Sequence, residues 1–363
     1  MGHDAVNDRS ARPEDLLARR GGAVELLRLP ALLVGAVAGA RNRLYDLGWL
    51  PAHRLQLPVV SVGNLSVGGT GKTPMVLLLA RSLAERGFRP GILSRGYGAK
   101  QGELNDEGRL FARALPEVLQ VQDPDRVRGA RELERRGADL IVLDDGFQHR
   151  RLARDLDLVL IDATRPWGLP AEGEGEAVQS VLPRGLLREG LGSLGRASAL
   201  VITRADALPA AELSALEDRL EAAVPGVPRL LAEHRPVALR RGDEELGLEV
   251  LEGLPVRLVS GIGNPQAFER TARGAGADLR GVHAFADHHD FDRAELDDLP
   301  GDAELLVTGK DAVKLEALGL APLVLEVELA ITRGEKVLDA LLDALPPGQR
   351  TREIQALHSG LHG

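Results

Sequence analysis

The chain has 363 residues, of which 27% are charged, and its formal net charge is −9. Its length exceeds the usual size of one domain, so we expect two domains with ample buried core. The acidic residues are dispersed, which argues against a broad nucleic-acid-binding face because such faces are basic. There is no cysteine, which excludes disulfides, thiolate nucleophiles and cysteine metal sites and fits a reducing compartment.

An apolar segment lies near the beginning of the chain. We expect residues 1–25 to be a disordered lead-in, after which residues 26–50 become apolar and residues 29–40 carry no charge. This uncharged run is shorter than the roughly 20 residues that a spanning helix needs. Arginines and aromatic residues follow it, which favours an amphipathic helix in a membrane interface. An amphipathic helix packed on its own domain is the alternative, and the sequence does not decide between them.

Strand and helix patterns alternate over residues 26–238. The sequence predicts a buried strand at 57–63, a helix at 73–86 closed by Gly87, and strands at 90–94, 138–143, 156–161 and 199–202. Continuously apolar strands are typical of parallel sheets that are covered on both faces. The first domain is therefore predicted to be a doubly wound α/β fold with a mainly parallel sheet.

The pattern restarts after residue 238. Strands are predicted at 256–260 and 305–308, a helix at 266–274, and a final strand and helix within 323–345. These elements predict a second, smaller α/β domain over residues 239–346. The charged, glycine-containing segment 240–247 is predicted to be a linker, and residues 347–363 a flexible tail.

A glycine-rich loop between a predicted strand and a predicted helix carries the clearest chemical signal. Residues 63–74 read Gly-Asn-Leu-Ser-Val-Gly-Gly-Thr-Gly-Lys-Thr-Pro. In this setting backbone amides turn toward phosphate oxygens, a lysine reaches the β- and γ-phosphates, and a threonine ligates magnesium. The predicted nucleotide-binding residues are Gly68, Gly69, Thr70, Gly71, Lys72 and Thr73.

Two adjacent carboxylates, Asp144 and Asp145, end another predicted strand and are named here the acid pair. In a phosphate-loop protein this position supplies the second magnesium contact, although acidic residues after a strand otherwise form turns or helix caps. Together the two motifs predict a nucleotide and Mg²⁺. They do not choose between an ATPase, a GTPase, a kinase and a switch.

Seven motifs occur in a characteristic order along the chain, at residues 63–74, 93–98, 144–149, 182–189, 260–265, 287–289 and 310–314. This series resembles the tetraacyldisaccharide 4′-kinase family over about residues 32–315. The resemblance implies a P-loop enzyme that uses ATP and Mg²⁺ to phosphorylate the 4′-hydroxyl of tetraacyldisaccharide 1-phosphate in lipid A synthesis. It also implies that the protein works at the cytoplasmic face of the inner membrane and that the apolar helix is its anchor.

The resemblance also assigns site residues. It places Asp106 as the catalytic base and His288 as its partner, a pair suited to taking a hydroxyl proton. Arg188 stabilises phosphate charge beside Lys72, and Glu189 supports magnesium together with Thr73, Asp144 and Asp145, or orients Arg188. A further histidine, His149, follows the two carboxylates and is a weaker candidate for a site residue than Asp145. Gly309 stands where the family has a glutamate, so Lys310 and Asp311 are expected to be structural or secondary.

A membrane-associated P-loop ATPase switch is the competing hypothesis, because such switches also combine this loop with a membrane helix. They carry an additional lysine early in the loop, where this chain has Ser66 and Val67. That difference, together with a second domain bearing His288, favours the lipid-sugar kinase.

Overall fold

The computed structural model describes residues 13–98, 104–170 and 177–346. The strands are β1 (Val59–Asn64), β2 (Pro90–Ser94), β3 (Leu119–Gln122), β4 (Leu140–Asp144), β5 (Leu156–Asp162), β6 (Ala199–Thr203), β7 (Arg229–Arg241), β8 (Glu244–Leu246), β9 (Pro255–Ser260), β10 (Asp278–Ala284), β11 (Glu304–Thr308) and β12 (Leu323–Arg333). The α-helices are α1 (Pro13–Ala18), α2 (Arg28–Asp46), α3 (Lys72–Glu85), α4 (Asp106–Ala114), α5 (Arg126–Arg135), α6 (Ala210–Ala223), α7 (Pro265–Gly274), α8 (Arg293–Asp297), α9 (Gly309–Ala317) and α10 (Glu335–Asp343). Short 3₁₀ turns lie at Gly22–Leu27, Leu191–Arg196, Ala205–Ala207 and Leu248–Leu251.

One 12-stranded sheet runs through the described residues in the order β10-β9-β11-β12-β7-β6-β5-β1-β4-β2-β3, and β8 pairs with β7. Neighbouring strands are parallel except for β12 with β7 and β7 with β8, which are antiparallel. The predicted mainly parallel α/β fold is confirmed. Ligands in such sheets bind beyond the carboxyl ends of the strands, so this edge is where a site is expected.

The central strands are buried on both faces because helices cover them. β1, β4, β5 and β6 are buried at every position, and the apolar face of α3 packs on them through Met75, Val76, Leu79 and Leu83. A separate apolar cluster covers the opposite face of these strands. Two more clusters cover the part of the sheet that contains β9, β11 and β12. The helix that follows the glycine-rich loop is therefore fixed rigidly to the strand that precedes the loop.

The expected domain boundary between residues 238 and 239 falls inside β7. The first part of β7 pairs in parallel with β6, and the strand then pairs antiparallel with β12 along most of its length. The expected linker at 240–247 was wrong, since it forms a hairpin in which β7 turns at Gly242 (φ 57°) into β8. Its charges and glycine suit a tight turn as well as they suit a linker. We call the described residues up to 238 the first half and residues 239–346 the second half.

Within residues 13–25 the structure places α1 (Pro13–Ala18) and the start of the 3₁₀ turn Gly22–Leu27, so the expected disordered lead-in is wrong for these residues. The buried guanidinium of Arg184 holds this region, because it donates to the carbonyls of Leu17 and Arg19 and pairs with Glu25. Residues 1–12 and the predicted tail at 347–363 lie outside the described residues.

The apolar helix leaves its large side chains in solvent. Within α2 only Ala31 is buried, and the exposed apolar residues of this region include Leu26, Leu29, Leu32, Leu33 and Val37. The structure therefore exposes most of the large apolar side chains of this helix instead of packing them on the described residues of its own domain. In the part of the chain that the structure describes, Gly22–Asp46 is the one helical segment with the length and composition to cross a membrane, and an 18-residue stretch of it has a mean hydropathy of 1.7.

Candidate active site

The phosphate loop joins the end of β1 to the beginning of α3. Gly68 (φ 121°) and Gly71 (φ 91°) adopt left-handed conformations that glycine accepts without strain. The side chain of Asn64 donates to the carbonyl of Ser66 at 2.7 Å and fixes the start of the loop. The first amides of α3 thus face a cleft of about 1850 Å³ that residues 67–74 line. A helix N-terminus presenting free amides is a ready anion site.

The acid pair lies beside the phosphate loop, because β1 and β4 are neighbours in register, with Val62 opposite Asp144. Asp145 stands in the turn after β4 with φ 51°. Its Oδ1 lies 3.7 Å from Lys72 Nζ and accepts a hydrogen bond from Arg188 at 2.8 Å. Burial acts to raise the pKa of Asp145, but Lys72 and Arg188 outweigh it and hold that pKa below its usual range.

The residues present suit magnesium. Asp144 is buried, and its Oδ1 has no hydrogen-bond partner among the described residues. Burial, with the nearby carboxylates of Glu107 and Asp145, raises the pKa of Asp144 to about 8. A dication would supply the missing partner and favour the ionised form. Across residues 13–98, 104–170 and 177–346 no group of three or more His, Asp or Glu side chains could hold a metal ion. Mg²⁺ in nucleotide sites is usually bound by one or two carboxylates together with substrate phosphates.

Two residues near the acid pair were missed by the sequence reasoning. Glu107 lines the cleft and acts on the Asp144 carboxyl. Arg126, the buried first residue of α5, donates to the backbone carbonyl of Asp123 at 2.8 Å and places its charge beside the acid pair. The position of Glu107 directly after Asp106 was a usable signal for it. No local pattern marks Arg126, because only the packing of α5 brings it to the cleft.

Burial favours the uncharged form of two histidines: His149, which follows Asp145 in the chain, and His234, which lies beside the phosphate loop. Burial, reinforced by Arg126, lowers the pKa of His149 to about 4. Burial also lowers the pKa of His234 to about 3, and this ring packs so closely on Gly71 that an added Cβ would lie 2.9 Å from it. Burial thus favours the neutral form of both rings, and the positive charges beside the phosphate loop in the cleft include those of Lys72 and Arg188.

The second half contributes His288 to the same cleft. His288 has φ 62°, and its Nε2 lies 3.2 Å from Lys310 Nζ, which also donates to Asp287 Oδ1 at 3.1 Å. One turn further along α9, Lys314 Nζ lies 2.9 Å from Asp106 Oδ2. Residues four apart share one helix face, so α9 holds the two proposed proton-transfer residues at neighbouring positions. Lys310 lines the cleft and contacts His288, a closer involvement than the sequence suggested.

Arg188 and Glu189 point to different places. Arg188 lines the cleft and donates to Asp145 and to Gln148 Oε1. The buried Glu189 instead accepts from Asn42 of α2 at 2.6 Å and from Arg196 at 3.0 Å. The structure therefore brings Arg188 to the acid pair, whereas the Oε2 atom of Glu189 fastens the apolar helix to the segment that carries Arg188.

The tetraacyldisaccharide-1-P 4′-kinase family model matches residues 23–346. The chain belongs to this family. The family resemblance of the seven motifs is thereby confirmed. Among its relatives, the tetraacyldisaccharide 4′-kinase of Anaeromyxobacter sp. (strain K) is 41% identical over 92% of this chain and 93% of its own length. The tetraacyldisaccharide 4′-kinase of Syntrophus aciditrophicus (strain SB) is 34% identical over 85% of this chain and 89% of the relative.

A solved structure agrees with this family membership. LpxK from Aquifex aeolicus, crystallised in complex with ATP, matches with a TM-score of 0.66 and 30% identity, covering 88% of this chain and 98% of that chain. The predicted P-loop kinase fold is therefore confirmed as well.

Proposed function

We propose that this protein transfers the γ-phosphate of ATP to the 4′-hydroxyl of tetraacyldisaccharide 1-phosphate in lipid A synthesis. The observation that carries the proposal is one cleft whose wall combines the phosphate loop, the acid pair and His288. A hydrolase or switch needs only the first two. A histidine supplied by the other half, which contacts Lys310 of α9 while Asp106 contacts Lys314 one turn further along that helix, suits an enzyme that must deprotonate an acceptor hydroxyl.

In this proposal the phosphate loop amides and Lys72 bind the β- and γ-phosphates, while Arg188 approaches the γ-phosphate charge. The residues that would hold Mg²⁺ are Thr73 and Asp144, with Asp145 beside them, and the ion would neutralise charge that develops on the phosphates. The acceptor oxygen forms a bond to the γ-phosphorus as the bond from that phosphorus to the bridging oxygen breaks. The proton of the acceptor hydroxyl passes to the pair formed by Asp106 and His288.

Both halves of the chain form the walls of the cleft, so movement about β7 and β12 would open and close it. Closure suits a kinase, because water must be kept from the γ-phosphate until the acceptor is bound. We propose that the two halves close over ATP and the lipid together.

The exposed face of α2 supports attachment to a membrane. Leu29 and Leu33 each expose 70% of their surface, and burying such a side chain in lipid contributes about 1.5–3 kcal/mol. The last turn of α2 is bound to the first half through Asn42 and through the ion pair of Asp46 with Arg150. A helix that is held at its last turn, preceded by a segment that Arg184 holds through Glu25, and bare between the two suits peripheral or monotopic attachment at the cytoplasmic face of the inner membrane.

The position of the new phosphate tests the proposed reaction. The protein is incubated with ATP, Mg²⁺ and tetraacyldisaccharide 1-phosphate in detergent micelles, and the product is mapped by phosphorus–proton correlation spectroscopy. A phosphate on the 4′-oxygen, with no product from a 4′-deoxy acceptor, is the expected result. Phosphate on another hydroxyl, or equal use of the 4′-deoxy acceptor, would contradict the assignment.

A further inference from the structure

A loop of the second half lies directly on the phosphate loop. Residues 260–265, named here the Gly-Asn loop, lead from β9 into α7. Gly263 approaches Gly69 so closely that a Cβ added to Gly263 would lie 2.4 Å from the backbone nitrogen of Gly69. The contact is backbone against backbone, so there is no room for the two loops to move closer to each other.

Asn264 ties the Gly-Asn loop to the first half. Its Nδ2 donates to Asp162 Oδ2 at the end of β5 at 2.9 Å, and its Oδ1 accepts from the amide of Ala267 and so caps α7. The same Asp162 oxygen accepts from Arg204, which also donates to the carbonyl of Gly69 at 3.1 Å. The side chains of Arg204, Asp162 and Asn264 thus link the phosphate loop to the Gly-Asn loop. Asn264 is 3% exposed, so water does not compete for these bonds.

The other end of the Gly-Asn loop holds His288. The amide of His288 donates to the carbonyl of Gly261 at 3.1 Å. The amide of Gly261 donates to the buried Asp311, which also accepts from Thr308 at the start of α9. The left-handed backbone of His288 is therefore supported from the loop that touches the phosphate loop.

We infer that Asn264 is a positioning residue for phosphoryl transfer: through the Gly-Asn loop it holds His288 in place relative to the ATP phosphates. This inference rests on the proposed function. Asn264 acts through the loop and through His288, and the role assigned to it is separate from its capping of α7. Loss of its bond to Asp162 leaves the second half free to shift over the phosphate loop.

Two substitutions separate the tether from the cap. In Asn264→Ser the shorter side chain still caps α7 but does not reach Asp162, because serine and asparagine are comparable N-caps. In Asn264→Asp the cap remains but a second carboxylate faces Asp162. A misplacement near 1 Å costs about 100-fold in rate, so we expect kcat to fall about 10- to 100-fold in both variants while the Kd for ATP changes less than about 3-fold. Asp292→Ser, which changes the cap of α8 in the same half, is the control that should keep wild-type kcat.

Hydrogen exchange of the His288 amide gives a readout that needs no lipid acceptor. A non-hydrolysable ATP analogue with Mg²⁺ should slow this exchange in the wild type but not in Asn264→Ser. Equal slowing in both proteins, or wild-type kcat in Asn264→Ser, would overturn the inference. A wild type that labels no lipid would count against the proposed function instead, and the exchange result would still decide the role of Asn264.

Discussion

Gly263→Ala perturbs the contact between the Gly-Asn loop and the phosphate loop, and the displacement it requires can be calculated from the distances in the structure. The added Cβ would lie 2.4 Å from Gly69 N and 3.1 Å from Gly69 Cα, whereas ordinary contact begins at 3.4 Å. The two backbones must therefore separate by about 1 Å, since neither neighbour is the end of a flexible side chain. Overpacking of this kind costs about 1–3 kcal/mol in the free energy of unfolding. A 1 Å shift of the phosphate loop relative to His288 should lower kcat about 100-fold.

The assay for Gly263→Ala is the initial rate of phosphate transfer to lipid, with thermal unfolding measured on the same preparation. Gly301→Ala is the matched control, because Gly301 has open space around its Cα and lies in the same half. We expect this control to keep the rate and the Tm of the wild type. If Gly263→Ala also kept the wild-type rate and the wild-type Tm, the close approach of the two loops would not exist in solution.

Three further outcomes are expected. Asp106→Ala should slow transfer by about 10²- to 10⁴-fold while ATP binding by calorimetry persists, and normal turnover would remove its role as base. Burial raises the pKa of Asp311 to about 6, above its usual 3.8. The contribution of Asp311 to the free energy of unfolding is therefore fully present below about pH 4 and is lost as pH rises through 6. Asp311→Asn should remove that loss, about 3 kcal/mol, from denaturant unfolding curves, and an unchanged pH profile would contradict it. Leu29→Asp combined with Leu33→Asp should abolish sedimentation with anionic vesicles at unchanged Tm, whereas Val250→Asp, an exposed apolar control, should sediment as the wild type does.

Much of the fold could be predicted because its signals are local. Buried parallel strands are apolar throughout, and the glycines of the phosphate loop mark a turn that needs left-handed backbone at Gly68 and Gly71. Asp144 and Asp145 were predicted to share the nucleotide site because carboxylates after a strand supply the second magnesium contact in a phosphate-loop protein. The structure places Asp145 Oδ1 3.7 Å from Lys72 Nζ. For these residues position along a strand was enough.

Features that depend on contacts between distant segments could not be predicted. Glu189 was expected at magnesium, but its Oε2 partners Asn42 and Arg196, and no local pattern encodes the pairing with a helix 147 residues earlier. Arg126 reaches the acid pair only through the packing of α5. The predicted domain boundary falls inside β7 because this one strand pairs with strands of both halves. Hydrophobic periodicity cannot show such pairing.

Transfer of γ-labelled phosphate from ATP to tetraacyldisaccharide 1-phosphate tests the proposed function most directly. The reaction is run in detergent micelles with Mg²⁺, and Lys72→Ala is run beside the wild type after both are shown to be folded. The proposed function predicts labelled lipid from the wild type and none from Lys72→Ala, whose phosphate loop lacks its cation. Free phosphate without labelled lipid from the folded wild type would contradict it and would favour a membrane-associated ATPase.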